Sequence, residues 1–482
     1  MIKKFFHAVM ACGLIALVMS CEDQKFNNIN VDVDKVELDH LTPDMIKVRD
    51  YVPEYAVVAH RGSTFWTPEE TEAAYRWARE IGADYLECDM QVSKDGVVLA
   101  LHDDNLKRTT NIENVFGETI PYEIRKAYYQ KIGYSAEEAD ALVKEDAKNF
   151  VPNLPAYYTY EELMMLDAGT WFNETSIEQA RPSFASQHQY ISTLEDLVAY
   201  SKGKMLERDA QGKRVFTMGQ KTGEKIKSLS GTADVIKYTF GYVDDPEDTG
   251  NRPGIYIEFK EPWLNPAGFE EIVYKELDRL GMNIITQPEP ESNPFYVNGK
   301  VNTGNTNGKV ILQTFSDESL VKLKEAFPRR IPTCFLLWLG NDVSDLKQNT
   351  PEQYAAKINF GIENGAVIMG PSIAGAPNHY DELLSPGNGE LIYRSGMAIH
   401  PYSFDTVEQM EEYTGLKAGQ PAQNRADGMF TNKSDMTIRF YQETLPAKYL
   451  KSNATSGLPD HLQQKKKLEK AEKVLEQLGY YN

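Results

Sequence analysis

Glu87 and Asp89 lie two residues apart in the otherwise apolar run DYLECDM (84–90). On a β-strand that spacing sends both carboxylates to one side, with Leu86 and Cys88 on the other. Two buried acids side by side repel each other. A hard divalent cation removes the repulsion, and an all-oxygen ligand set suits Mg2+ or Ca2+ rather than zinc. Solvation at the strand's end, or a neighbouring Arg or Lys, would also relieve it. Asp95-Gly96 then signals a hairpin. Counting back from a two-residue loop pairs Lys94 with Val97, and so Asp89 with His102. An imidazole thereby comes up to the carboxylate pair.

Two further strand ends carry the same types of residue. YAVVAH (55–60) runs into Arg61-Gly62. His60 offers proton transfer, Arg61 offers a fork for phosphate oxygens, and Gly62 lets backbone approach a ligand. Taken alone, His60 reads equally as a structural histidine. In GIYIEFK (254–260), Glu258 and Lys260 share one side of a strand. Glu258 could complete a three-carboxylate cation site and Lys260 could hold a phosphate oxygen as a point charge. The plainer reading is a Glu-Lys pair at a solvated end.

The elements that must position these residues are short apolar strands alternating with helical patterns. YAVVAH, DYLECDM, VVLALH (97–102), GIYIEF (254–259), KVILQTF (309–315), TCFLLWL (333–339), GAVIMG (365–370) and DGMFT (427–431) read as strands. Helical stretches at 69–82, 193–203, 268–281 and 319–327 fall between them. About eight near-continuous apolar strands with intervening amphipathic helices predict an α/β fold, a TIM-type (β/α)8 barrel. Residues 111 to 190, rich in tyrosine, read as an insertion after the His-Asp strand that caps the barrel mouth. Residues 205 to 250 are polar and glycine-containing. Residues 461 to 479 read as an amphipathic helix docked outside the barrel, with Leu468, Ala471, Leu475 and Leu478 on one stripe.

The formal net charge of −20 argues against nucleic acid as a partner, because phosphate-backbone binding needs a basic face. Lys3 and Lys4, an apolar run too short for the ~20 residues of a membrane span, and Ser20-Cys21 together fit an export signal over residues 1–20. Cys21 stands where bacterial lipoproteins are cleaved and acylated. Residues 21 to 50 then read as an acidic tether to a barrel domain over 51–482. Cys88 and Cys334, each in an apolar run, read as buried free thiols.

HRGSTFWTPEET, GADYLECDMQVSKDGVVLALHDDNLKRTT and IYIEFK resemble, in order, the motif series of the glycerophosphodiester phosphodiesterases. The likeness continues through LDAGTWF (166–172), ISTLEDL (191–197), VILQTFSDESL (310–320), IHPYSF (399–404) and ADGMFTN (426–432). LDAGTWF and HPYSF look most like the larger periplasmic branch. The resemblance implies a metal at Glu87, Asp89 and Glu258, acid–base catalysis by His60 and His102, and phosphate held by Arg61 and Lys260. Glu69 matches a glutamate that orients neighbours or substrate. The expected activity is divalent-metal-dependent hydrolysis, with Ca2+ or Mg2+, of a small-molecule glycerophosphodiester to glycerol 3-phosphate and an alcohol. The expected location is a bacterial periplasm or outer membrane, anchored by lipid on Cys21. A non-catalytic glycerophosphodiester-binding lipoprotein and a phospholipase acting on intact lipid are the rival readings. Glu70, Asp405, Asn432 and Ser434 depart from the family pattern, where Asn or His, Arg, Asp and Pro respectively are usual.

Overall fold

The computed structural model describes residues 35–328, 330–416, 424–449 and 469–482. Eight parallel strands form one sheet: β1 (Ala56–Ala59), β2 (Tyr85–Val92), β3 (Gly254–Phe259), β4 (Val310–Thr314), β5 (Thr333–Leu337), β6 (Ile368–Pro371), β7 (Ala398–Ile399) and β8 (Gly428–Thr431). Their spatial order is β7-β6-β5-β4-β3-β2-β1-β8, so each strand neighbours its successor and β8 returns to β1. Backbone bonds from Asp427 to Ile399 (2.8 Å) and from Phe404 to Phe430 (2.7 Å) draw β7 and β8 together. The result is a nearly closed TIM-type barrel. Every residue of β1–β6 and of β8 is buried, as expected of parallel strands covered on both faces. Helices Glu72–Ile81, Leu194–Ser201, Phe269–Arg279, Asp317–Ala326 and Pro351–Glu363 supply the cover between successive strands.

The expected barrel is present, but its membership differs from the sequence reading. VVLALH contributes Val98–Ala100, which pairs antiparallel with β2 and is not a barrel stave. The missing stave is β7, only two residues long and too brief to leave a periodic signal. The hairpin register also differs by one residue: Met90 faces Ala100, and Leu101, not His102, bonds to Asp89. Three residues span the loop between Ser93 and Val97, with Gly96 at φ 92°, a longer turn than Asp-Gly alone suggests.

Asp95 explains the longer turn. It is buried and accepts from Ser93 Oγ (2.7 Å), from Tyr238 Oη (2.7 Å) and from the Tyr160 amide (2.9 Å). Lys94 pairs with Asp146 at 2.9 Å. The turn is thus the post on which the insertion is mounted. Residues 111–190 hold short helices, among them Tyr122–Lys131 and Ala136–Lys148, and after the helix Leu194–Ser201 the polar 205–250 stretch forms a long hairpin, Phe216–Ser228 with Gly231–Phe240.

Residues 1–34 lie outside the described residues, and so do the export-signal reading and Cys21. Part of the stretch expected as tether is ordered instead. Pro43–Arg49 is a helix capped by Thr42, and Leu41, Met45 and Val48 join the core. Of the C-terminal helix, residues 461–468 lie outside the described residues; Ala471–Gln477 is helical. Ala471 and Leu478 dock on the helix after β1, accepting bonds through their carbonyls from Trp77 (3.2 Å) and Arg76 (3.5 Å). Cys88 and Cys334 are free and buried.

Candidate active site

The strand register brings the acidic residues together. Asp89 lies directly across from Glu258, and Glu258 from Gln313. Glu87 and Asp89 share a face of β2, so three carboxylates converge at the C-terminal end of the barrel, where this fold places its chemistry. Glu87, Asp89 and Glu258 each offer an oxygen within 4.8 Å of the other two, and all three are buried. Gln313 Nε2 donates to Glu87 Oε1 at 2.9 Å, fixing the carboxylate plane.

Charge repulsion has visible consequences. Burial, followed by the neighbouring Asp89 charge, pushes Glu87 well above the usual carboxylate range. Burial raises Glu258 to about 8, Lys260 countering only in part. At Asp89 burial also raises the pKa, but His102, Lys260 and Arg61 outweigh it and hold the group at about 2. Asp89 Oδ2 and Arg61 Nε form an ion pair at 3.5 Å, and both are buried with no hydrogen-bond partner. An oxygen-only cluster with an orphaned carboxylate oxygen suits a hard divalent cation. The residues therefore fit such an ion.

Arg61 is held in a strained left-handed conformation at φ 49°, a cost typical of functional sites. Its amide donates to Glu87 Oε2 at 2.7 Å, which aims the guanidinium at Asp89 and at Glu69, 3.7 Å away. Gly62 allows the tight turn that follows: its φ is 82° and an added Cβ would lie 2.6 Å from Ala74 Cβ. Lys260 Nζ sits 3.6 Å from Glu258 Oε1, 4.0 Å from Asp89 Oδ1 and 3.1 Å from His102 Nε2.

The two imidazoles are oriented differently. His102 Nδ1 bonds Asp103 Oδ1 at 2.6 Å. Arg108 ties Asp103 (3.0 Å) to Glu69 (2.9 Å), so Glu69 acts through this bridge and through Arg61. His60 Nδ1 bonds Asn432 Oδ1 at 2.8 Å, and Asn432 Nδ2 donates to Asp405 Oδ1 at 3.0 Å. A carboxylate accepts only, so Asp405 fixes the amide with its oxygen toward His60. His60 therefore carries its proton on Nδ1 and presents the Nε2 lone pair. Burial, aided by Arg61, lowers His60 to about 3, and the same two causes lower His102.

All eight residues expected from sequence (His60, Arg61, Glu69, Glu87, Asp89, His102, Glu258 and Lys260) fall in this one cluster. Asp103, Arg108, Gln313, Asp405 and Asn432 were not among them. Two of the departures from the family pattern, Asp405 and Asn432, are hydrogen-bonded partners behind His60. Glu70, a third, sits at φ 55° and accepts from the Asp89 amide at 2.7 Å, its other oxygen buried without a partner.

Residues 60–239 match the glycerophosphoryl diester phosphodiesterase family. The matched stretch holds His60, Arg61, Glu69, Glu87, Asp89 and His102, whereas Glu258 and Lys260 lie beyond it. A glycerophosphodiester phosphodiesterase of Bacillus subtilis is 25% identical over 382 residues, covering 79% of this chain and 84% of that protein. A mouse glycerophosphoinositol inositolphosphodiesterase is 35% identical over 277 residues, covering 53% of this chain and 45% of that protein. The chain thus spans most of the first relative and less than half of the second. Among solved structures, a phosphodiesterase of Oleispira antarctica, in complex with the product sn-glycerol-3-phosphate, aligns at a TM-score of 0.41 and 15% identity, covering 80% of this chain and 96% of that one.

Proposed function

We propose that the chain hydrolyses glycerophosphodiesters to glycerol 3-phosphate and an alcohol, with one divalent cation, Ca2+ or Mg2+, at Glu87, Asp89 and Glu258. The supporting observation is the convergence in one cleft of three buried carboxylates, two imidazoles, and the cations Arg61 and Lys260. When bound, the ion neutralises the carboxylates and polarises a phosphoryl oxygen. Arg61 and Lys260 donate to the remaining phosphate oxygens, the first as a fork and the second as a point charge. A phosphate accepting from Lys260 would release His102 Nε2.

The surroundings of the imidazoles divide the acid and base roles. His60 rests on a neutral amide, is uncharged at neutral pH, and exposes Nε2; it is the base that takes the proton of the attacking group. His102 rests on a carboxylate that stabilises its imidazolium, so it is the acid that protonates the leaving alcohol. Glycerol 3-phosphate release, measured with Ca2+ or Mg2+, then with chelator, then in His60→Ala and His102→Ala, tests the reading. Undiminished release in either variant would overturn the assignment, and release unaffected by chelator would remove the ion. Binding of glycerophosphodiesters without turnover would leave a binding protein, and turnover of vesicle lipid in preference to soluble diesters would make it a phospholipase.

The same proposal includes export and lipid attachment at Cys21, supported by the charge, length and cysteine position of the first residues. Palmitate labelling that survives Cys21→Ala would refute it.

A further inference from the structure

The cleft does not end at the carboxylates. Beyond Lys260 it continues along the C-terminal ends of β4, β5, β6 and β7, and that wall changes character. Phe315, Trp338, Tyr380 and Tyr402 line it in contact with one another. Trp338 and Tyr380 have ring centroids 5.4 Å apart at 73°, Tyr380 and Tyr402 5.8 Å at 58°, and Phe315 and Tyr402 5.6 Å at 87°. Rings tilted in this way turn several faces and edges toward one space. Trp338 is 38% exposed, and Trp263, which lines the cleft after β3, is 64% exposed. Large exposed aromatics at a cleft mouth are costly unless they meet a ligand.

Charge is distributed unevenly along the same cleft. Its only lysine or arginine linings among the described residues are Lys260 and Arg61, both at the catalytic end. The aromatic end carries Asp342 and Asp345 instead, neither ion-paired among the described residues. The missing side chain of Gly340 lets the Asp345 carboxylate pack toward the Trp338 edge. A Cβ at Gly340 would collide with Asp345 Oδ2 and lie 3.3 Å from Trp338 Cδ1. Aromatic faces beside carboxylates attract an organic cation, above all one that sheds water easily, such as a quaternary ammonium. Cations at one end and carboxylates with aromatic rings at the other complement a zwitterion whose phosphate is followed, two carbons on, by an ammonium.

We propose that the aromatic wall with Asp342 and Asp345 selects diesters whose alcohol carries a positive ammonium group, over those with neutral polyol alcohols. This rests on the hydrolase reading above and adds the substrate class. The test compares kcat/KM for glycerophosphocholine with that for its uncharged 3,3-dimethylbutyl isostere, which has the same shape without the charge. A preference of about 3- to 30-fold for the cation is expected from rings and carboxylates partly open to water. Trp338→Leu and, separately, Asp342→Asn and Asp345→Asn should bring the ratio toward one. Asp342 is on an exposed loop, so its variant reports even if the tryptophan change disturbs folding. Equal turnover of both esters by the natural chain, or a ratio unchanged in all three variants, overturns the selectivity while leaving hydrolysis intact. Turnover of neither ester, nor of glycerophosphoglycerol, overturns the hydrolase reading and the selectivity together.

Discussion

Binding of the cation should be strongly linked to pH, and the linkage follows from the carboxylate cluster. A metal ligand must be ionised, yet burial holds Glu258 at about 8 in the protein alone. At pH 7 a group of that pKa is about 90% protonated, so binding must displace its proton at a cost of roughly 1.4 kcal/mol, about tenfold in affinity. At pH 6 the cost is about twice that. Apparent affinity should therefore fall about tenfold per pH unit below 8, and more steeply where Glu87, also raised, gives up a second proton. Titration calorimetry with Mg2+ or Ca2+ in buffers of different ionisation enthalpy measures both affinity and protons released. Stability carries the matching sign. Glu258's folded pKa exceeds its unfolded one, so in chelator its contribution is complete below about pH 4.5 and is lost as pH rises toward 8. Added cation should restore melting temperature most at the alkaline end. Affinity constant from pH 6 to 8, with no proton release, would refute the cluster as the cation site.

Other perturbations test the supports around it. Asn432→Leu removes the acceptor that orients His60 and should lower kcat about 10- to 100-fold with little change in KM; an equal loss through KM alone would contradict the orienting role. Asp245 accepts from Arg76 (2.6 and 2.7 Å) and also pairs with Arg79, all three side chains buried. Asp245→Ala leaves Arg76 with the Leu478 carbonyl and the Tyr480 hydroxyl in place of a carboxylate, while Arg79 keeps Glu80, and should cost about 3–5 kcal/mol in urea unfolding; a loss below about 1 kcal/mol would mean that the pocket relaxes. Gly62→Ala meets Ala74 and a left-handed backbone, so a loss of at least about 1–2 kcal/mol and a fall in turnover are expected. Activity and melting temperature at natural levels would show that the turn shifts freely.

Much of the site is legible in the residues because it uses local rules. The i, i+2 spacing of Glu87 with Asp89, and of Glu258 with Lys260, fixes which side chains share a strand face whatever the tertiary context. What lies between strands is less accessible. Neighbouring barrel strands align only on folding, and no local signal pairs Glu87 with Gln313 or His60 with Asn432. Turn chemistry misleads where tertiary contacts recruit a turn residue, as with Asp95. The two-residue β7 is specified by its neighbours, since a stave so short has no pattern of its own. The deviations at Asp405 and Asn432 look unrelated in sequence and make sense only as one hydrogen-bonded pair.

The bond between His60 and Asn432 joins residues 372 positions apart, the first stave of the barrel to the segment just after the last. Nascent chains emerge from the first residue onward, so the imidazole of the opening strand waits for its amide until nearly the whole polypeptide has been made. Products that stop short of residue 432 would hold both histidines and all three acids, yet lack the group that sets one of the rings. Catalysis then serves as a check on completion: a shortened chain should fail at turnover even where the three acids still come together.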